Sequence, residues 1–567
     1  MKLPARSRLY VPCAARQKMV FLTVLSLGSL LLPGMRPDAP HRLQSGPELS
    51  VDVSADRHPI SPDIYGMNDN PYDANLAKEI RLPVSRWGGD ATTRYNWQVD
   101  ASNAGDDWFF MAGSGKDNPT PSGSADQFVE KIRAAGGKAL LTIPILDYIN
   151  KVSQWDCTFP VSLFGPQQKV NPYIHPFVNG QQTDAGNGRK PDGTPIVPDK
   201  AAILRVHIPN SPAHQQAWMR HLIARFGTAA HGGVAIYEMD NEPGGWSNTH
   251  RDVHPQTPTY QEIVDKTLPY ARAVKATDPT ARIDGPGDFG WAVYRGEPEK
   301  HGGLWNAEYY LHRLRAASQQ ANVRLLDYFD EHYYPTSDDG VGGLALSPAG
   351  DAATQALRLE STRSLWDPNY VEKNWIGKYF GAIRLIPRMH AWVDKHYPGT
   401  RLAITEYNWG GLESINGALA QADVLGIFGR ERLDLATLWG PPQPDQPGAY
   451  AFRLYRNYDG KGSQYGDTWV RSRSADQGKL AIYGAQRSGD GALTVMVINK
   501  TGEDLTSRLA LAHFAPRGAA QVYRYSTANL KAIVRQPDQA VSPEGFTAAY
   551  PAYSLTLVVI PGKRLSP

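Results

Sequence analysis

An α/β fold, a (β/α)₈ barrel of the TIM type with an additional β-sandwich, is what this sequence predicts, on three observations. Eight short apolar or β-rich runs alternate with helix-like segments over residues 60–459. From about Gly460 the texture changes to short alternating strands with no long helix. Two glutamates, Glu242 and Glu406, follow two of the eight runs, at the strand end where a parallel barrel carries its chemistry.

The eight runs are Ile64 to Met67, Val84 to Trp87, Ala139 to Ile143, Val234 to Met239, Arg282 to Gly285, Tyr328 to Glu331, Leu402 to Thr405 and Ala436 to Trp439. Helical periodicity covers Gln127 to Ala135, opened by a Ser124-x-x-Gln127 capping box, and then Ala213 to Phe226 and Tyr260 to Ala276. It returns at Ala307 to Ala321, Trp375 to His396 and Gly417 to Phe428. Pro/Gly/Asp-rich stretches at 146–210 and 335–372 read as insertions on the βα side, where substrate clefts get their walls. In the tail, Leu480 to Ala485, Leu493 to Asn499, Leu509 to Leu511, Gln521 to Tyr525 and Tyr553 to Ile560 read as strands, with a hairpin signal at Gly489-Asp490-Gly491. Leu49 to Ser54 alternates in the same way. The sandwich is therefore expected to take residues 41–59 together with 460–567.

Residues 1–40 stand apart. Lys2, Arg6, Arg8, Arg16 and Lys18 precede an uncharged apolar run from Met19 to Leu32, the layout of a secretory signal or an amino-terminal anchor. Six of the 59 basic residues but only one of the 56 acidic ones lie there, so the remainder carries 53 basic against 55 acidic. The basicity belongs to targeting, and nothing points to nucleic acid. The expected product is a secreted monomer with no membrane attachment once mature. Cys13 falls in the signal, leaving Cys157 alone, which excludes an intramolecular disulfide and a cysteine metal site. Fourteen Trp and 28 Tyr are a large supply of flat amphipathic rings, which leans towards a carbohydrate partner.

Two strand-end carboxyl groups fit glycosidic cleavage, which needs one protonated and one ionised carboxyl. Asn241 directly precedes Glu242, and a side-chain amide beside the acid suits a sugar 2-hydroxyl; Glu242 is thus read as acid/base and Glu406 as nucleophile. Tyr407 and Asn408 follow Glu406 and are placed to orient it or the sugar. Glu331-His332-Tyr333 offers His332 or Tyr333 to a carboxylate, and Arg86 offers a charge partner, against the plainer readings of a core-edge ion pair and a satisfied buried histidine.

Several long motifs occur in order: Arg86-Trp87-Gly88-Gly89-Asp90-Ala91-Thr92-Thr93-Arg94-Tyr95-Asn96-Trp97; Asn241-Glu242-Pro243 followed by Thr249-His250-Arg251-Asp252-Val253-His254-Pro255; Ser364-Leu365-Trp366-Asp367-Pro368; Thr405-Glu406-Tyr407-Asn408-Trp409-Gly410-Gly411; and Gln421 to Arg430. Over residues 45–560 they closely resemble glycoside hydrolase family 44. The resemblance implies a retaining endo-β-1,4-glucanase or xyloglucanase with a barrel and a sandwich, acting on a polysaccharide without a cofactor. It implies the same roles for Glu242 and Glu406. Trp97, Trp246 and Trp409, in or beside these motifs, and Trp439, at the end of the eighth run, are expected with Arg86, Asn241, His332, Tyr333 and Tyr407 at the sugar. Gly244-Gly245 and an insertion around Gly180 to Lys190 depart from the pattern and leave substrate preference open.

Two rival readings keep or discard the chemistry: a xylanase, mannanase or exo-acting glycosidase on the same barrel, or a non-catalytic carbohydrate-binding protein. Gly285-Pro286-Gly287-Asp288-Phe289-Gly290 follows a strand like a dinucleotide-binding loop, but Pro286 interrupts it and no helix follows. His250 and His254 have metal-ligand spacing in a loop without a convincing helix, and the acidic loop with Asp100, Asn103, Asp106 and Asp107 reads as solvated rather than calcium-binding. No metal site is expected.

Overall fold

The computed structural model describes residues 44–563, apart from 70–71, 117, 173–183, 291–293, 295, 297 and 339–340. The signal at 1–40 and the Gly180 end of the expected insertion lie outside the described residues.

Eight parallel strands close into a barrel: Gly66–Asn68, Val84–Trp87, Lys138–Ile143, Val234–Met239, Arg282–Phe289, Tyr328–His332, Arg401–Tyr407 and Leu435–Leu438. Each pairs with its neighbours in the chain, and Leu438 against Met67 closes the ring. Ile64, expected to open the first strand, lies instead in the 3₁₀ turn Pro62–Tyr65, because Ser61 caps Asp63 and Pro62 fixes the first turn. The fifth strand runs on to Phe289 and absorbs the glycine-rich segment, so that segment is strand and not a nucleotide loop. The helix expected from Gln127 begins at Gly123; Ser124 cannot cap it, since its amide and hydroxyl bond the Asp100 carboxylate at 2.8 and 3.1 Å. The long helix expected from Trp375 to His396 is two, Trp375–Phe380 and Leu385–His396, separated after Gly381, whose φ of 69° ends the first.

Side chains on a strand return to the same face every second residue. At the floor of the barrel Val84, Leu140, Ile236, Tyr328, Ala403 and Leu435 form a buried apolar layer. Two residues further along the same six strands come Arg86, Thr142, Glu238, Asp330, Thr405 and Thr437, all fully buried. A polar layer thus lies directly above an apolar one, and the cleft opens above the polar layer.

Eleven of the remaining strands form one curled mixed sheet, and two small antiparallel sheets, one joining Met111–Gly113 to Ser102–Asn103 and Asp156–Cys157 and one joining Tyr148–Asn150 to His207–Pro209, complete the set among the described residues. Leu49–Asp52 pairs antiparallel with Thr468–Ser474 and parallel with Leu505–Ala512. Thr468–Ser474 pairs onward with Leu480–Gln486, joining the two layers of a sandwich. Leu49, Val51, Val470, Ile482, Val495, Leu509 and Val558 fill the space between them. Among the described residues no helix is long and apolar enough to cross a membrane.

Helix Ile415–Arg430 is buried along almost its whole length, as a helix covered on several sides must be. Its Asp423 accepts from Lys500 Nζ at 2.6 Å and from the Tyr483 hydroxyl at 2.6 Å, both in the sandwich, and from Thr362 Oγ1 at 2.7 Å in the barrel. Lys500 and Asp423 side chains are 4% and 1% exposed. Removing one partner of a buried pair leaves an uncompensated charge, at a cost of about 3–5 kcal/mol. Lys500→Met is therefore expected to lower stability by that amount, read as a fall in the urea unfolding midpoint. A midpoint equal to that of the parent protein would show that this pair does not join the two parts.

Candidate active site

Glu406 is the sixth residue of the seventh barrel strand, inside the strand rather than just beyond it. Glu242 lies three residues past the fourth strand, where the chain turns through two left-handed residues, Asp240 at φ 70° and Glu242 at φ 44°. Such φ values are unfavourable for a residue with a Cβ and persist where surroundings dictate them. Here the Asp240 carboxylate accepts the amides of Ile145, Leu146 and Asn241 and the Thr93 hydroxyl. The Glu242 amide donates to the Gly287 carbonyl at 2.9 Å.

Arg86, on the second strand, uses all five of its N–H donors. Nε and Nη2 fork onto the Glu238 carboxylate at 2.8 and 2.9 Å; Nη2 also reaches Asn241 Oδ1 at 2.7 Å; Nη1 reaches Glu406 Oε1 at 2.7 Å and Asn68 Oδ1 at 3.1 Å. Asn241 is locked further by the Gly89 amide at 3.2 Å and by its own donation to Asp90 at 2.8 Å, which leaves one Nδ2 hydrogen unused. Glu406 Oε2 accepts the Tyr334 hydroxyl at 2.9 Å.

His332 stands between the two glutamates. Its Nδ1 is 3.1 Å from Glu242 Oε1 and 3.6 Å from Glu406 Oε2, and its Nε2 is 3.1 Å from Thr405 Oγ1. One carboxylate oxygen from each glutamate and the ring nitrogen lie within 4.8 Å of one another. Burial by itself disfavours the imidazolium, but the Glu406 charge, the Glu238 carboxylate 3.7 Å from Nε2 and the hydrogen bond to Glu242 outweigh it and hold His332 well above its ordinary value. Both ring nitrogens then donate. Burial likewise works against a charged Glu238, but the Arg86 guanidinium and His332 reverse it and bring that carboxyl down to about 2. At other buried carboxyls burial wins: Asp284 and Glu331 are pushed well up, and Asp330 rises to about 6.

The structure brings Arg86, Asn241, Glu242, His332, Glu406 and Trp439 together. Trp439 is partly exposed, and its ring lies so close to Gly89 that a Cβ there would meet it at 2.7 Å. The other expected aromatic contacts lie elsewhere. Trp246, Tyr407 and Trp409 are 0%, 0% and 1% exposed, too buried to stack on a sugar. Tyr407 accepts from Gln421 and packs edge-on against Phe428, Trp409 donates to Ser361, and Trp246 packs on His254. Trp97 packs between His214 and His221 of the helix Pro212–Phe226. Tyr333 turns away to Glu372 at 3.0 Å. Two site residues escaped the sequence reading, Tyr334 and Glu238, and strand parity signals both: Tyr334 shares a face with Asp330 and His332, and Glu238 shares one with Ile236. His250 and His254 belong to no three-ligand group among the described residues.

Gly287 adopts φ 58°, and a Cβ on it would lie 2.7 Å from Glu238 Oε1. A left-handed residue with a Cβ costs about 1–2 kcal/mol before any clash. Gly287→Ala is accordingly expected to lose at least that much stability in chemical denaturation, and unchanged stability would show that the fifth strand yields at this point.

The family model for glycoside hydrolase family 44 matches residues 101–337, a span that includes Asn241 and Glu242. Endoglucanase A of Paenibacillus lautus is 30% identical over 508 residues, which cover 86% of this chain and 69% of that protein. Among solved structures, CelM2, a bifunctional glucanase-xylanase from a metagenome library, is 36% identical with a TM-score of 0.85, over 92% of this chain and all of the other. A Paenibacillus polymyxa xyloglucanase of the family, solved with xyloglucan, is 28% identical with a TM-score of 0.75, over 91% of this chain and 99% of the other. The barrel, the curled sheet and the clustered glutamates thus coincide with sequence kinship over most of the chain, which belongs to glycoside hydrolase family 44 and is a glycoside hydrolase of the endoglucanase type.

Proposed function

We propose that this chain is an exported enzyme that cleaves internal β-1,4 bonds of a glucan or xyloglucan with retention of anomeric configuration. The observation that carries the reading is the proximity of the two carboxylates, with oxygens within 4.8 Å of each other across His332 Nδ1. A retaining pair stands about 5–5.5 Å apart, whereas an inverting pair leaves roughly 6.5–9.5 Å for a water.

Glu406, aimed by Arg86 and Tyr334, attacks the anomeric carbon while Glu242 gives its proton to the departing glycosidic oxygen. The anomeric carbon–oxygen bond breaks as the bond to Glu406 forms. Glu242, now a base, takes a proton from water, which adds to the anomeric carbon and frees Glu406. The spare Nδ2 hydrogen of Asn241 is offered to the sugar 2-hydroxyl, and Trp439 supplies a ring face beside it. The apolar run Met19 to Leu32 behind five basic residues supports export. A xylan backbone is the second reading, favoured by the glucanase-xylanase description of CelM2.

Glu242→Ala and Glu406→Ala are each expected to reduce turnover by about 10²-fold or more with the fold intact, since acid/base assistance alone is worth about 10²–10⁴. Reducing-sugar release from carboxymethyl-cellulose, xyloglucan, xylan and mannan checks this and ranks the substrates. Near-parental activity in either folded variant removes that residue from the chemistry. Proton NMR of the first product should show the β-anomer before mutarotation. An initial α-anomer would make Glu406 a base activating water.

A further inference from the structure

A third carboxylate, Glu238, has no part in the bond changes above, yet both cations that touch the two catalytic carboxylates also face it. It is the fifth residue of the fourth strand, four residues before Glu242, with its side chain 0% exposed. Arg86 forks onto it at 2.8 and 2.9 Å and spends an Nη1 hydrogen on Glu406 at 2.7 Å. His332 places Nε2 at 3.7 Å from Glu238 and Nδ1 at 3.1 Å from Glu242. Thr142 adds a hydroxyl donor to Glu238 at 2.6 Å.

We propose that Glu238 is a positioning residue that acts through Arg86 on Glu406 and through His332 on Glu242, so that one buried anion sets both catalytic carboxylates. The proposal rests on the roles given above to Glu242 and Glu406.

Geometry gives the first half of the argument. A guanidinium has a planar fork, so occupying Nε and Nη2 on one carboxylate fixes the direction of Nη1. With Glu238 in place that direction is Glu406. Charge gives the second half. The charged or titratable groups gathered about Glu238 are Arg86 on the second strand, Asp284 on the fifth, Asp330 and His332 on the sixth and Glu406 on the seventh. Burial pushes Asp284 well up and Asp330 to about 6, whereas Glu238 is brought down to about 2, so Glu238 is the carboxyl of the layer that keeps its charge over the widest pH range. Without it, both cations bear more strongly on Glu242 and Glu406, with Asp330, 3.9 Å from His332 Nε2, as a further carboxyl facing them. They then favour an ionised Glu242, and the step that needs its proton fails at a lower pH.

The test is the pH profile of kcat/KM for Glu238→Gln, which keeps shape and removes charge, with Glu238→Asp, which keeps charge and shortens reach. Glu238→Gln is expected to lower kcat by about 10²-fold with KM little changed. It should also move the alkaline limb down by about one pH unit. Glu238→Asp is expected to lower kcat while leaving that limb in place. A merely structural Glu238 would cost stability in both variants with the limb unmoved, and that result overturns the proposal. If Glu238→Gln does not fold, Glu238→Asp decides alone: a folded variant with parental kcat overturns it. The Glu242→Ala and Glu406→Ala assays fail separately, because activity in those variants sinks the catalytic assignment whatever Glu238 does.

Discussion

The Arg86 guanidinium is the contact on which the site depends. Its five donors reach Glu238, Asn241, Glu406 and Asn68, which come from the fourth, seventh and first strands and from the loop after the fourth. A side chain with no exposed surface and no unused donor has one low-energy orientation, and it imposes that orientation on every acceptor. Lysine would present a point charge here and lose the fork. The arrangement is expensive in stability, because desolvating Arg86 and Glu238 together cancels much of their attraction. What it yields is position. Glu406, whose side chain is 8% exposed, has little freedom except to face the cleft.

The alternation of barrel layers explains why charged residues lie in strands that read as apolar. Val84, Leu140 and Ile236 occupy the floor, and the next inward residues are Arg86, Thr142 and Glu238. An apolar second layer would pack as well, but it would give the cleft residues nothing to bond. The polar layer is satisfied internally: Thr405 bonds Asp330, Asn68 bonds the carbonyls of Thr405 and Thr437, and Thr142 bonds Glu238. Asp284 is the exception, with both oxygens unbonded, and burial pushes its carboxyl well up, towards the neutral form.

Much of this was legible in the sequence, and the parts that were not share a cause. All eight barrel strands were visible because they are apolar runs between turn signals, and Glu242, Glu406, Arg86, Asn241, His332 and Trp439 do gather. Residue type alone, however, does not say which way a ring points. A register shift between Ile404 and Tyr407 lets both Thr405 and Glu406 face inward and turns Tyr407 to the helices, where Phe428 and Gln421 receive it. Strand parity separates Tyr333 from Tyr334, and it was the second tyrosine that reached Glu406. Trp246 and Trp409 are buried by loops whose course no periodicity encodes.

Two ionised carboxylates up to 4.8 Å apart repel by at least about 3.5 kcal/mol at an effective dielectric constant near 20. A cleft that must bring them together needs a compensating cation that does not occupy the sugar's place. His332 supplies it from below, with Nδ1 at 3.1 and 3.6 Å from the two oxygens, and attracts whichever carboxyl is ionised by about 5 kcal/mol on the same scale. Only a cation that stays charged when buried can do this, and a buried imidazolium is itself unfavourable unless anions surround it. Glu406 is one such anion until it is esterified, and Glu242 becomes one when it gives up its proton, so the charge or covalent state of both changes during turnover. Glu238 undergoes neither change, and its own charge is secured by Arg86. The fixed pair beneath the floor of the cleft thus lets the groups above it change charge without releasing the histidine that holds them together.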